Sequence, residues 1–428
     1  MTQRWVLDEI VDPFGARVIV ERDGDGRARA ARFDLAGLPR VDSLLLGRPV
    51  RGVPSLVERL CGICPAAHHL AGIRALEALA GAGALTSTAA AVRRLLHHGS
   101  AVDAHAMRLL ATDRQDAVLL RGFARAVITA AGSPGHFPTT AVPGGVAAPV
   151  SKEARDELAH QVQALVQAAY GIARRLLVAG RTRTVFTGAD VALADASGIP
   201  DLLGDRLRVV AADGTVIEPA ARAERWDEIV AEEIPGDPAP RPYLVARGPE
   251  EGRYRVGPVA QLRVGRLTTP VSAELQTDWL TTHGDARAAR AIMTVHSMEA
   301  IGQLLDQDAL VSGSVTRPAG RFDRAAVGVG WVDGPRGLLV HRYATAADGT
   351  VVAATILTPT AQNEPWLAEL LRQAADASPA DARSTEFDME DAVREADPCL
   401  PCSSAPAGAM GLLVETTAPP AYPQTGSC

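Results

Sequence analysis

Two Cys-x-x-Cys pairs, Cys61/Cys64 and Cys399/Cys402, stand near opposite ends of a 428-residue chain. Each pair puts two sulfurs within reach of one ion. Thiolates suit soft or borderline metals, so four of them from two distant segments can close a site at a core interface. Pair spacing alone leaves a structural four-cysteine zinc site open as the alternative. Zinc pairs, however, usually sit in turn-rich knuckles that staple small domains, whereas these bracket a large, mainly helical chain that needs no staple. A redox Cys-x-x-Cys normally belongs to a thioredoxin-like βαβ unit, and neither pair has that context. Only five cysteines occur in all, too few for a disulfide-stapled secreted domain.

The sequence between the pairs reads as α+β, mainly α, with a long-helix core and small peripheral β-sheets. Ala16 to Glu21 and Ala28 to Leu35 alternate around the turn cluster Asp23-Gly24-Asp25-Gly26, which predicts a hairpin. From Pro65 to about Ala130, Ala, Leu and Arg recur with helical spacing, which predicts two or three long packed helices. Further helices are expected over about Lys152 to Val178, Asp285 to Leu305, Glu364 to Ala375 and Glu386 to Glu395, with strands over Ala326 to Tyr343 and Thr350 to Leu357. The whole chain, 1–428, is expected to be one large domain, with an irregular insert or small α+β lobe over 181–270 and a C-terminal tail over 406–428. Lys and Arg number 43 against 50 Asp and Glu, a net charge of −7 that offers nothing to a phosphate backbone or an anionic bilayer. No nucleic acid is therefore expected as a partner. Apolar runs stop short of the roughly 18 residues of a spanning helix. The first residues also carry acids where a secretory signal carries a basic segment. The expected setting is cytoplasmic, without direct membrane insertion.

Five blocks in order resemble one family. Arg59-x-Cys61-Gly62-x-Cys64-x-x-x-His68 and Asp397-Pro398-Cys399-x-x-Cys402 are similar to the paired signature of the large subunit of nickel-iron hydrogenases. Between them lie His136-x-Pro138 with Val142-Pro143-Gly144-Gly145-Val146, then Asp333-Gly334-Pro335-Arg336-Gly337-Leu338-Leu339-Val340-His341, then Thr360-Ala361-Gln362-Asn363. Length and the Gln-Asn block look closest to the cytoplasmic, cofactor-coupled groups of that family.

The resemblance implies the large-subunit fold and a nickel-iron centre bound by Cys61, Cys64, Cys399 and Cys402, with carbonyl and cyanide ligands on iron. Cys64 and Cys402 would bridge the metals, and Cys61 and Cys399 would be terminal on nickel, where a sulfur is free to take a proton. The implied reaction is heterolytic cleavage or formation of dihydrogen. Arg336 would hang over the open metal position, orienting and stabilising by charge; taken alone, it would read as a solvated surface arginine. Asp397, and either Asp113 or Asp116, are candidates to hold that arginine, Asp113 being preferred for its spacing after His105 and Leu109. His68, four residues after Cys64, is expected to turn back toward a cysteine, the alternative being a merely buried histidine. Pro335 and Thr360 would line the diatomic ligands, with the threonine hydroxyl donating to a cyanide nitrogen, or else pack as ordinary loop residues. His69, His97, His98 and His105 show no ligand-like pattern and are expected to be packing or surface residues.

Four departures from the family pattern matter. Pro13 stands where the family carries a proton-relaying glutamate, so Asp12 could substitute only with a shifted, shorter reach. Asp42 falls where a glutamate usually binds magnesium, and Ala405 where a histidine or arginine follows the last cysteine. A magnesium site is accordingly expected to be weakened or absent. The tail after Ala405 lacks the usual cleavage residue, which favours a chain not processed in the usual way, and Cys428 reads as an incidental thiol.

With four cysteines on the metals, only Cys428 remains, so a cysteine-ligated iron-sulfur cluster cannot sit in this chain. An iron-sulfur small subunit, with further electron-transfer subunits, is therefore the implied partner, joined through a large obligate interface. The competing reading is a non-catalytic relative, a hydrogen sensor or a scaffold. Pro13 and Ala405 favour it; the retained cysteines, Arg336 and Thr360 oppose it.

Overall fold

The computed structural model describes residues 17–34, 41–59, 61–180, 185–235, 240–377, 382–399, 410 and 413–417. Asp12, Pro13, Cys402, Ala405 and Cys428, and with them most of the tail, lie outside the described residues. Strands β1 (Arg17–Arg22) and β2 (Ala28–Asp34) form the expected hairpin, pairing Val18 with Phe33. Its turn is closed by Asp23, whose carboxylate accepts from the amides of Asp25 and Arg27. Alternation puts Val18, Val20 and Phe33 in the core.

Three helices follow where Ala- and Leu-rich periodicity runs. α1 (Pro65–Ala80) opens on a proline, whose missing N–H costs nothing at a helix start, and ends at Gly81 in the left-handed conformation. α2 (Ser87–Leu109) is capped by Thr86 and α3 (Arg114–Ala130) by Asp113, each side-chain oxygen accepting an orphan amide of the first turn. α4 (Lys152–Ala179) is capped in the same way by Ser151.

The described residues between Ala189 and Arg255 hold a four-stranded sheet. β3 (Ala189–Ala194), β4 (Arg206–Val210), β5 (Val216–Ala221) and β6 (Tyr254–Arg255) stack in the order β6-β3-β4-β5. Their apolar faces share a second core with Trp226, Trp331 and Leu338. α5 (Pro258–Val264) and α6 (Pro270–Thr282) lead to α7 (Ala286–Leu305), which packs against α2 and α4 in the main helical core.

The stretch read as one strand from Ala326 to Tyr343 is two. β7 (Ala326–Gly334) and β8 (Gly337–Thr345) pair antiparallel from end to end, with Pro335 and Arg336 alone at the tip, and β9 (Val351–Leu357) adds on the far side of β8. Asp333-Gly334-Pro335-Arg336-Gly337 is the turn signal in this stretch. The break is made by Pro335, which has no N–H for a ladder, and by Gly337 at φ 125, a conformation that side chains resist. α8 (Glu364–Ala377) and α9 (Ala382–Ala396) complete the helices, and β10 (Leu413–Thr417) pairs parallel to β1, Arg17 opposite Leu413. No helix among the described residues is long and apolar enough to cross a membrane.

α1 lies flat on β7, and Gly330 sets the distance. A Cβ there would overlap the Ala71 carbonyl and the Ala75 amide on α1. Gly330→Ala is therefore expected to cost about 1–3 kcal/mol by overpacking, read as a lower denaturant midpoint. An unchanged midpoint would contradict the close approach. This contact matters because the same helix begins at Cys64 and the same strand ends at the tip that carries Arg336.

Candidate metal centre

The chain brings the described cysteines together from its two ends. Cys64 is the N-terminal cap of α1, Cys61 lies one tight turn before it, and Cys399 lies three residues past α9. Cys61 Sγ is 2.8 Å from Cys399 Sγ and 2.9 Å from Cys64 Sγ. All three sulfurs fall within 4.8 Å of one another, close enough to share an ion. Hydrogen bonds from Cys399 and Cys64 push the Cys61 thiol down to about 2, while the hydrogen bond to Cys61, with burial, pushes Cys399 up to about 12. Cys64 is likewise raised by its neighbouring sulfurs and by burial. Such a set holds a thiolate readily and gives up further protons to a metal.

Arg336 reaches over these sulfurs from the hairpin tip. Its Nε donates to the Asp397 carbonyl at 3.1 Å, its Nη2 to Asp397 Oδ1 at 3.4 Å, and its Nη1 stands 4.0 Å from Cys399 Sγ. Burial works against its charge, but the Asp397 carboxylate and the thiols more than offset that and hold it fully protonated. Asp397 ends α9 in the left-handed region, φ 51, which a short polar side chain tolerates. Two further guanidiniums meet the same carboxylate. Arg108 Nη2 is 2.6 Å from Oδ1, and Arg290 Nε is 3.6 Å from Oδ2. Burial alone would raise the Asp397 carboxyl; Arg336, Arg290 and Arg108 together pull it below the usual carboxylate range.

Asp113 does not hold Arg336. Its carboxylate caps α3, accepting from the Asp116 amide at 3.0 Å, and pairs with Arg175 of α4 at 2.5 Å; Asp116 faces the same arginine at 3.7 Å. A side chain spent on a helix cap cannot also turn inward. Arg108 occupies the inward place instead. The usable signal was its spacing three residues after His105, which puts both on one face of α2.

That face also braces the hairpin tip. His97 Nε2 donates to the Asp333 carbonyl and His105 Nε2 to the Pro335 carbonyl, both at 2.9 Å. The two histidines read as packing or surface residues thus fix the backbone on either side of Gly334. Burial lowers both, and His296, to about 4, so all three are neutral in the folded chain and take up protons on unfolding below about pH 6.5. Their stabilisation is complete above pH 6.5 and is lost as pH falls toward 4, about 2 kcal/mol each by pH 5. Asp333, pushed up to about 7 by burial, works oppositely and returns about 2 kcal/mol over the same fall. The net expectation is a thermal midpoint that drops between pH 7 and pH 5; a flat or rising midpoint would contradict it.

Thr360 Oγ1 accepts the Cys399 amide at 2.7 Å, which leaves its own O–H free to donate elsewhere. His68 bonds through Nδ1 to His341 Nε2 at 3.1 Å, and among the described residues no hydrogen bond joins it to a sulfur. It lies within electrostatic range of Cys61. Asp42 is buried and accepts the Ile356 amide at 3.1 Å.

Comparison with known proteins agrees with this geometry. The family model described as nickel-dependent hydrogenase matches residues 40–118, the segment of Cys61, Cys64 and His68. One relative belongs to the F420-non-reducing hydrogenase vhu of Methanococcus voltae; it is 28% identical over 403 residues, covering 84% of this chain and 95% of its own length. The beta subunit of the NAD-reducing hydrogenase HoxS of Cupriavidus necator is 26% identical over 475 residues, 97% of this chain and 97% of its own. A crystal structure of an NAD+-reducing NiFe hydrogenase in the H2-reduced state matches with a TM-score of 0.80 at 28% identity, over 90% of this chain and 95% of that one. Over nearly its whole length the chain is similar to subunits of nickel-dependent hydrogenases. A NiFeSe hydrogenase of Desulfovibrio vulgaris Hildenborough, 19% identical with a TM-score of 0.66, shares the fold.

The residues present fit the nickel-iron centre that the similarity to nickel-dependent hydrogenases implies. Three soft sulfurs, that of buried Cys61 and those of the partly exposed Cys64 and Cys399, are gathered together, and three guanidiniums face a single carboxylate beside them. Surplus cationic charge favours thiolates, and thiolates suit a redox-active soft metal.

Proposed function

We propose that this chain is the catalytic large subunit of a nickel-iron hydrogenase, cleaving or forming dihydrogen heterolytically and exchanging electrons with an iron-sulfur small subunit in the cytoplasm. The observation that carries the reading is the convergence of Cys61, Cys64 and Cys399 beneath the guanidinium of Arg336. Cys61, Cys64, Cys399 and Cys402 would hold the metals. When bound, the centre supplies the two-electron chemistry of dihydrogen. Arg336 contributes fixed positive charge where negative charge gathers, prepaid in a water-poor site, and Asp397 holds it there. Cys399 takes the proton at Sγ, and Asp12 is the candidate to pass it outward. Pro335 and Thr360 line the place of the carbonyl and cyanide ligands, and the free Thr360 O–H supports a donor role. A magnesium ion would find the Asp42 carboxylate but no imidazole at Ala405, which supports a weakened or absent site.

The relatives are components of multi-subunit hydrogenases, which supports a small-subunit partner and further electron carriers. Dihydrogen-dependent reduction of an artificial acceptor, assayed on the chain assembled with its small subunit, tests the proposal. Sustained turnover, lost in Arg336→Lys, is the expected result. A metal-loaded complex with no turnover would establish the sensor or scaffold reading, which the changes at Pro13 and Ala405 favour.

A further inference from the structure

Two adjacent buried amides, Gln362 and Asn363, hold the segments against which the Arg336 hairpin tip rests. Thr358 caps the single helical turn Pro359–Gln362, and the Asn363 carbonyl accepts the Leu367 amide to open α8, so the backbone of both residues is fixed. Gln362 Nε2 donates to the Leu338 carbonyl at 2.5 Å, just past the tip on β8, and Gln362 Oε1 accepts from the buried Tyr254 hydroxyl of β6 at 3.2 Å. Asn363 Oδ1 accepts the Val256 amide at 2.8 Å. The next residue, Gly257, has φ 96 and lies directly against the tip. A Cβ on it would stand 2.6 Å from the Arg336 carbonyl oxygen, and a Cβ on Gly337 would stand 2.5 Å from the Gly257 nitrogen. Val256, Pro335, Arg336 and Asn363 all line a cavity of about 10 Å³, room for one water at most, so the tip has little space in which to shift. The same short block meets the sulfur side of the site, where Thr360 Oγ1 accepts the Cys399 amide at 2.7 Å. Filling space alone would be served by leucine; what the amides add is directed hydrogen bonds.

We propose that Gln362 and Asn363 are positioning residues for Arg336. They fix the backbone that bears on the arginine from the same block that, through Thr360, fixes Cys399, and so set the 4.0 Å approach of Arg336 Nη1 to Cys399 Sγ. The inference rests on the hydrogenase reading above, in which Arg336 supplies fixed charge at the reacting centre. Each amide acts through the arginine. Charge stabilisation weakens with distance, and a misplacement of about 1 Å at a reacting centre can cost about a hundredfold in rate. Asn363 works through the Val256–Gly257 turn, and Gln362 works by tying β6 to the start of β8.

Asn363→Leu keeps the volume and removes the acceptor. In the complex with its small subunit, dihydrogen oxidation with an artificial acceptor, divided by bound nickel, should fall at least about tenfold, while the KM for dihydrogen and the carbonyl and cyanide infrared bands stay as they were. Asn363→Asp, which keeps an oxygen for the Val256 amide, should restore turnover per nickel to within about threefold. A merely structural role would lower nickel and turnover together. Turnover per nickel within about twofold of the unsubstituted complex would therefore overturn the positioning role and leave the hydrogenase reading standing, as would equal falls in the two variants. An unsubstituted complex with neither bands nor turnover would overturn both. Should Asn363→Leu fail to assemble, Tyr254→Phe removes only the hydroxyl that holds Gln362. Turnover per nickel is then expected to fall at least about threefold, and an unchanged value would overturn the proposal.

Discussion

Cys399→Ser, in the chain assembled with its small subunit, is expected to lose nickel and to lose at least about a hundredfold in dihydrogen turnover. Removing a group that only orients a ligand costs 10–100-fold, and here the ligand itself is replaced. Serine is close to cysteine in shape, so the backbone of residues 397–399 and the Thr360 contact to the residue 399 amide should persist. What changes is the donor. A hydroxyl keeps its proton at neutral pH and offers a hard oxygen where a soft, charged sulfur is needed. It also removes the partner that most lowers the Cys61 thiol, so a second sulfur loses part of its readiness to ionise. Metal analysis and turnover measure both consequences. Cys428→Ser, which alters the only cysteine outside the two pairs, should leave both unchanged. Equal nickel in Cys399→Ser and the unsubstituted chain would remove this sulfur from the centre.

Asp397→Asn is expected to destabilise the fold by about 3–5 kcal/mol, because it leaves two buried guanidiniums and a third, partly buried one around a neutral amide. Asparagine accepts the left-handed backbone at this position as well as aspartate does, so strain contributes little to the loss. The arginine that reaches over the sulfurs should loosen at the same time, since Arg336 holds to residue 397 through both the carbonyl and the carboxylate. Asp113→Asn is the informative contrast. Its ion pair with Arg175 is half in solvent, at 26% and 50% exposure, and asparagine caps a helix equally well, so a change below about 1 kcal/mol is expected. Denaturant midpoints for the two variants separate the buried carboxylate from the exposed one. Comparable losses would show that the two carboxylates carry similar burdens.

Much of this was legible in the sequence because local signals and chemistry agree there. The helices over Pro65 to Ala130 follow from periodicity and caps, and the cysteine pairs announce a soft-metal site whatever the surrounding fold. Arg336 was found through its setting in a motif. Its position at the tip of a two-residue hairpin was not, because Asp333-Gly334-Pro335-Arg336-Gly337 was read as a motif block and not as a turn. Arg108 and Arg290 were missed for a different reason: each sits in a helix where arginine is common, and although Arg108 shares a helix face with His105, tertiary packing is what aims both at Asp397. His97 and His105 carry no ligand spacing, since their partners are backbone carbonyls 230 or more residues away in the chain. Asp113 illustrates the opposite error. Its spacing suited an inward role, but the same spacing placed it at the start of a helix, where capping claimed the side chain.

Infrared spectroscopy on the chain purified with its small subunit tests the central claim most directly, because carbonyl and cyanide on iron absorb where proteins do not. The account predicts such bands, and predicts their loss in Cys402→Ala. Their absence from a fully assembled, nickel-replete complex would contradict it and leave a scaffold or a four-cysteine zinc site in its place.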